Sequence, residues 1–185
     1  NRLNIEADWY KRNNYDLIGP VTTQGIGGQV TKFGNVASME SSGVELTLST
    51  VNINKKNFKW TTDFIYSHAE NRVTSLENQQ RVIDLVAGTG FALEGYPVRS
   101  VFSIPYRGLN SEGIPTFLDQ SGKVTTTGIY FQERDNIDFL EYSGTADPTD
   151  FGSCGNTFSF YGFKVNVFFT YSFGNVVRMD PVFKS

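Results

Sequence analysis

Thr157-Phe158-Ser159-Phe160-Tyr161-Gly162-Phe163-Lys164-Val165-Asn166-Val167-Phe168-Phe169-Thr170-Tyr171-Ser172-Phe173 is the stretch on which the fold turns. From Phe163 onward it alternates. Phe163, Val165, Val167, Phe169, Tyr171 and Phe173 share one face. Lys164, Asn166, Phe168, Thr170 and Ser172 share the other, with Phe168 as the apolar exception. A period of two is the mark of a β-strand with unlike faces. A strand in a soluble domain averages about 5–6 residues, and one that crosses a bilayer at a tilt needs roughly 9–11. This run is long enough to cross. Its aromatic residues gather toward both ends of the apolar face, where amphipathic rings meet a lipid–water boundary. A long strand of a soluble β-sandwich is the plainer reading of the same pattern, and the stretch alone does not choose between them.

Composition narrows the field. The 185 residues carry a formal charge of −3, so there is no basic footprint for nucleic acid. Aromatics make up 15% of the chain and glycine occurs 18 times, a mixture that favours strands and turns over helices. No run approaches 18 apolar residues, which excludes a transmembrane helix but not a transmembrane barrel, whose strands hide behind polar alternation. Cys154 is the single cysteine, so no internal disulfide forms, and it reads as a small loop residue without an activating neighbour. The opening Asn1-Arg2-Leu3-Asn4-Ile5-Glu6 lacks the basic and apolar regions of a signal peptide. An outer-membrane protein needs one, so the chain is expected to be processed or part of something longer.

Three further strands are expected upstream. Leu3 to Tyr10 alternates Leu3, Ile5, Ala7 and Trp9 with Asn4, Glu6, Asp8 and Tyr10. The two carboxylates of the second set demand a solvated face. Gly43 to Thr50 alternates Val44, Leu46 and Leu48 with Glu45, Thr47 and Ser49. Phe58 to His68 places Phe58, Trp60, Phe64 and Tyr66, with Thr62, opposite Lys59, Thr61, Asp63 and Ser67, with Ile65. The last two make a hairpin across a short polar turn, Asn52 to Asn57. Asn13 to Ser42 reads as a long connection because it holds Gly19-Pro20, Gly25, Gly27-Gly28 and Gly34-Asn35. Val82 to Ala87 fits a short helical or strand turn. Val98 to Leu109 is strand-like but broken by Pro105. Asn110 to Asn156 reads as another long polar connection, and Gly174-Asn175 as a closing turn.

No chemistry-bearing constellation emerges. His68, the single histidine, has no partner in the sequence for a metal site and is expected to be solvated. Glu133, Asp135, Asp138 and Glu141 offer the carboxylates a glycosidase needs, but nothing fixes their spacing, and a solvated loop is the simpler account. Asp119, or Asp147 with Asp150, lacks the Asp-x-Asx-x-Asx-Gly calcium loop. No phosphate-binding Gly-x-x-x-x-Gly-Lys-Ser/Thr pattern occurs. Catalytic, cofactor-binding and metal-ligating residues are therefore expected to be absent, and substrate-contacting residues are not identifiable. The one short and several long connections match the short turns and long loops of outer-membrane barrels better than the even turn spacing of a sandwich.

Several stretches resemble the C-terminal barrel region of the SusC/RagA family of TonB-dependent outer-membrane transporters. They are Tyr10-Lys11-Arg12 with Tyr15-Asp16-Leu17-Ile18, Gly34-Asn35-Val36-Ala37-Ser38-Met39 leading to Ser42-Gly43-Val44-Glu45-Leu46, Phe58-Lys59-Trp60, and Gly108-Leu109-Asn110 with Gly113-Ile114-Pro115. Most specific is Asp147-Pro148-Thr149-Asp150-Phe151-Gly152-Ser153-Cys154-Gly155-Asn156-Thr157-Phe158, running on to Phe173-Gly174-Asn175. Cys154 departs from the usual residue there. The resemblance implies an all-β fold, antiparallel strands forming part of a large plugged transmembrane β-barrel of about 22 strands. Residues 1–185 would be a partial C-terminal barrel region of about five or six strands, without plug domain, TonB box or final strands. It also implies a bacterial outer-membrane location, import of oligosaccharide or peptide, a SusD-like surface lipoprotein as lid, and the TonB complex as energy source. A soluble β-sandwich that binds glycans is the alternative, and a carboxylate hydrolase a distant third.

The reading makes two structural expectations. Leu3, Ile5 and Trp9, Val44, Leu46 and Leu48, Trp60 and Phe64, and Phe163, Val165, Val167, Phe169 and Tyr171 face lipid. Glu6, Asp8, Glu45, Asp63, Lys164 and Asn166 face the lumen. Asn13–Ser42, Asn71–Gly95 and Asn110–Asn156 include the extracellular loops, while Asn52–Asn57 and Gly174-Asn175 are periplasmic turns.

Overall fold

The computed structural model describes residues 2–22, 31–77, 79–87 and 92–179. Three long strands come first: β1 (Leu3–Thr22), β2 (Thr31–Lys55) and β3 (Phe58–Leu76). A short helix α1 (Val82–Val86) and small strands β4 (Ser100–Ser103), β5 (Tyr106–Leu109), β6 (Pro115–Leu118), β7 (Val124–Thr125) and β8 (Glu141–Thr145) follow. The chain then returns as β9 (Asp150–Phe160) and β10 (Phe163–Phe173). One sheet takes the order β1-β2-β3-β9-β10; β4 pairs with β8, and β5, β6 and β7 form a third sheet. No helix among the described residues is long and apolar enough to cross a membrane.

The all-β expectation holds, and β10 coincides with the alternating run Phe163–Phe173. The β2–β3 hairpin is present with a turn tightened to Lys56-Asn57. Other boundaries need correction. Asn13–Ser42 is not a long connection: β1 continues to Thr22 and β2 begins at Thr31, so Gly34-Asn35 lies in a strand. Gly25 and Gly27-Gly28 fall outside the described residues. Backbone pairing continues here without an apolar stripe, because ladder hydrogen bonds need no particular side chain. Asp16 (φ 55) interrupts the regular β1 backbone; aspartate tolerates this left-handed conformation better than most residues. β3 likewise runs on to Leu76, past the expected end at His68.

The second correction concerns Asn110–Asn156. Its last part is not loop but the start of β9, which pairs antiparallel with both β3 and β10. Its turn to β10 is Tyr161-Gly162, both at positive φ (45 and 88), the two-residue geometry that suits the right-handed twist of a hairpin. Because Phe160 is paired with both Phe58 and Phe163, the turns 56–57 and 161–162 lie at the same end of the sheet. Gly174 lies at the other end, against Thr149 and Asp150, so it does not share an end with the Lys56-Asn57 turn as expected.

The residues divide into two compact units. The first comprises 1–12, 41–70 and 148–174, and the second 13–40, 71–147 and 175–185. The first is the central part of the five-stranded sheet. Among the described residues, all the buried apolar side chains (Val73, Val82, Leu85, Val101 and Phe102) belong to the second. There Tyr96, Phe102 and Tyr142 form a ring cluster with centroids 5.0–5.6 Å apart. The chain after β10 is tied into this unit by Val176 N–H donating to the Thr145 carbonyl (2.8 Å) and Arg178 Nη2 to the Phe102 carbonyl (2.7 Å).

Candidate functional site

The feature with functional content is the pair of unlike faces on the first unit's sheet. Register assigns them. Val165, Phe158 and Trp60 stand opposite one another, as do Phe169, Cys154 and Phe64, and Tyr171, Gly152 and Tyr66. Lys164, Ser159 and Lys59 align on the opposite face, followed by Asn166, Thr157 and Thr61. Ser49 Oγ donates to Asp63 Oδ1 (2.8 Å), which puts Ser49, and by alternation Glu45 and Thr47, on this polar face. The two sets expected to segregate in β3 and β10 do so.

The apolar face has no protein over it within this unit. Phe163 is 78% exposed, Phe169 63% and Val165 56%. A soluble sheet would bury such a row; at about 25 cal/mol per Å² of apolar surface, leaving several aromatic side chains bare is unfavourable in water. Aromatics mark both ends. Phe58 and Phe160 meet edge to face near the turns, with Trp60 stacked on Phe158 (5.6 Å). Phe64, Tyr171 and Phe173 stack toward the other end. β10 has 11 residues. At about 3.3 Å per residue the Phe163–Phe173 span is about 33 Å. A strand tilt of about 40° brings its height to about 25 Å, that of a barrel's apolar band.

Polar groups on this face are satisfied from within. Asn52 Nδ2 donates to Thr62 Oγ1 (2.7 Å), and Thr62 Oγ1 donates to Asn156 Oδ1 (2.7 Å). Trp60 Nε1 donates to the same Asn156 oxygen (3.0 Å). Asn156 Nδ2 points at Cys154 Sγ (3.8 Å), so Cys154 is a strand residue beside this network, not a loop residue. At the far end of the face Asp150 Oδ1 accepts from Tyr66 Oη (2.6 Å) and lies 2.9 Å from His68 Nδ1. His68 is therefore paired, not solvated as expected, with Glu70 3.4 Å from its Nε2.

Glycines in the sheet take aromatic rings from neighbouring strands. The Tyr171 ring lies over Gly152, its register partner, and its hydroxyl donates across to the Ile65 carbonyl (3.2 Å). On the polar face Phe168, the exception in the alternation, covers Gly155: a Cβ there would stand 3.1 Å from the ring. A Cβ at Gly43 would stand 2.6 Å from Tyr10 Oη. Each ring shields backbone that a missing side chain leaves open, the device by which sheets tolerate glycine.

Of the carboxylates weighed for catalysis, Glu133 and Asp135 serve local structure in the second unit, Asp135 by accepting from Gln79 Nε2 (3.3 Å). Glu133 Oε1 accepts N–H bonds from Arg134 (2.9 Å) and Asp135 (3.0 Å), and these backbone bonds, led by that of Asp135, hold its carboxyl below the usual range. Asp119 is likewise lowered, first by the Lys123 N–H (2.9 Å), as the cap of a tight turn. Asp84 takes a two-pronged bond from Arg81 (2.7 and 2.8 Å) at the start of α1, and that guanidinium lowers its pKa. Asp147 is engaged by Arg99 (2.6 Å). Among the described residues no group of three or more His, Cys, Asp or Glu could hold a metal.

Known proteins are similar to this chain. TonB-dependent receptor P3 of Formosa agariphila is 26% identical over 194 residues, covering 96% of this chain and 19% of the receptor. The resemblance to TonB-dependent receptors holds. TonB-dependent receptor P39 of the same organism is 28% identical over 145 residues, 77% of the chain and 13% of that receptor. The chain thus spans one fifth or less of the length of these TonB-dependent receptors. Among solved structures, the RagAB peptide importer in its closed-closed state matches with a TM-score of 0.71 at 24% identity, over 95% of this chain and 20% of that one. A second RagAB peptide transporter structure gives 0.72 at 22%, over 94% and 19%. These structures establish the fold: antiparallel strands as in part of a large barrel. No family model matches the chain. The similar proteins are receptors and an importer, not enzymes.

Proposed function

We propose that this chain is part of the barrel wall of an outer-membrane transporter that imports nutrient, oligosaccharide or peptide, with energy from the TonB complex. Residues 1–185 would be a partial C-terminal barrel region, the plug domain and TonB box lying elsewhere in the protein. A SusD-like surface lipoprotein would close over the outer mouth, a partnership suggested by the two-component name of the RagAB importer. The observation that carries the reading is the five-stranded sheet, bare and aromatic-rimmed on one face and polar on the other. Its apolar face, from Trp60 and Phe64 to Val165, Val167 and Phe169, would meet lipid. The face with Asp63, Lys164 and Asn166 would meet the lumen. The turns 56–57 and 161–162 would be periplasmic, and residues 77–149, between β3 and β9, an extracellular excursion. The sheet's edge strands β1 and β10 would pair with further barrel strands, since open backbone edges are not tolerated in hydrocarbon.

A β-sandwich would require a second sheet over the apolar face. In the first unit no apolar side chain among the described residues is buried, which disfavours it. The full protein carrying this chain is expected to sediment with outer membranes and to require detergent for extraction. Val167→Arg should cost roughly 2–4 kcal/mol of folding stability if Val167 lies near mid-bilayer, and Asn166→Arg little. Equal tolerance of both changes in a urea titration of the membrane-inserted protein, or release of the protein without detergent, would refute the assignment.

A further inference from the structure

At the end of the sheet away from the two short turns, one imidazole stands between two carboxylates. His68 Nδ1 lies 2.9 Å from Asp150 Oδ1 on β9, and His68 Nε2 lies 3.4 Å from Glu70 Oε1 on β3. An ionised Asp150 can only accept. Its Oδ1 takes the Tyr66 hydroxyl (2.6 Å) and its Oδ2 the Thr149 hydroxyl (2.7 Å). His68 Nδ1 therefore has to donate, which fixes the tautomer. The proton that comes and goes is the one on Nε2, facing Glu70. With it, the ring is a cation that donates to both carboxylates. Without it, a nitrogen lone pair faces the Glu70 carboxylate, and the bond to Asp150 falls from a charge-assisted one to a neutral one of about half the strength.

The surroundings leave that proton in control. The charged groups acting on His68 are Asp150 from β9 and Glu70 from its own strand. On the β2 side Gly43 comes against the His68 carbonyl and brings no side chain. β10 contributes Phe173, in register with Asp150, and the phenol of Tyr171. His68 is the single histidine of the chain, and histidine is the side chain whose ordinary charge change falls between pH 5 and 8. Its side chain is 33% exposed, so protons reach it. His68 and Asp150 are also the last register partners that β3 and β9 share at this end. One residue beyond, Ala69 N–H donates to the Thr149 carbonyl (2.8 Å). We propose that proton binding at His68 Nε2 latches this end of β3 to β9, closed when the ring is charged and loosened when it is neutral. Under the membrane reading this end faces the outer medium, so acidity outside the cell closes the latch; that placement rests on the reading, and the latch itself does not.

The test is amide hydrogen exchange of the full protein in lipid nanodiscs, read by mass spectrometry on the peptide that holds Ala69. Protection, taken relative to the unstructured exchange rate at each pH, should fall about fivefold between about pH 5.5 and 8.5. His68→Gln keeps a donor for Asp150 but cannot gain a proton, so it should show no such fall. Should that variant not assemble, Glu70→Gln, at an exposed side chain, carries the comparison, with the fall reduced to about twofold or less. Level protection in the wild type, or a fall of the same size in the variants, overturns the inference. A fall spread evenly along β3 and β9 also overturns it, since that reports general loosening and not a latch at one end. A wild-type protein that does not enter the bilayer removes the membrane reading alone; the same comparison on that protein in solution still decides the latch.

Discussion

Asn156 is the residue on which the apolar face depends most locally. Its carbonyl oxygen accepts from both Thr62 and Trp60. If this face meets lipid as proposed, Asn156→Ala leaves an indole N–H and a hydroxyl unpaired, at a cost of about 1–3 kcal/mol. Chemical denaturation of the membrane-inserted protein should show that loss, with Trp60 fluorescence changed. An unchanged midpoint would mean the network is incidental. Asp84 gives a residue-scale expectation in the second unit. Arg81 lowers its folded pKa, so the stabilisation it lends α1 is complete above the unfolded value near 4. It is lost as pH falls through the lower folded value. Asp84 is a quarter exposed, so solvent screening keeps the effect small. Amide exchange at Leu85 and Ala87 should quicken on acidification below about pH 4 relative to Asp84→Asn, which should show no such step. Parallel behaviour of the two proteins would remove the role given to the Arg81 pair.

At the scale of elements, β10 was legible because its faces differ at nearly every position. β9 was not. Gly152, Cys154, Gly155 and Asn156 blur its alternation, and the rings that complete its faces, Tyr171 over Gly152 and Phe168 over Gly155, come from the next strand. A pattern shared between two strands cannot be read along one. The same contact explains Phe168, which looks out of place in β10 until Gly155 is set opposite. The extensions of β1 and β2 were hidden for another reason: beyond an apolar band, paired strands need no apolar face. Recovering β9 also settles the direction of the chain, since it puts Tyr161-Gly162 beside Lys56-Asn57. Single cysteines at Lys56 and Gly162 should therefore react with an impermeant maleimide on the same side, protected in intact cells and exposed in opened ones. A cysteine at Glu112 should react in intact cells. Opposite behaviour of the two turn positions would contradict the strand order.

For the molecule as a whole, function was legible chiefly through resemblance, and the relatives bear that resemblance out at 26–28% identity. Physical reading supplied something different: two chemically opposed faces. The second unit's buried cluster around Leu85 and Phe102 was not foreseen, because its members come from segments whose periodicity is too short to read. The candidate site was legible as faces but not as contacts, since the Asn52–Thr62–Asn156 chain depends on register that no single strand reveals. The central claim is that odd-numbered positions of β10 face lipid and even-numbered ones face water. Nitroxide labels placed singly at positions 163 to 173 of the full protein in liposomes measure this directly, through collision with oxygen, which concentrates in lipid, and with a water-soluble nickel chelate. The account predicts a two-residue period, oxygen contact highest at 165, 167 and 169 and nickel contact highest at 164, 166 and 170. A uniform profile, or the same period with the faces exchanged, would contradict it.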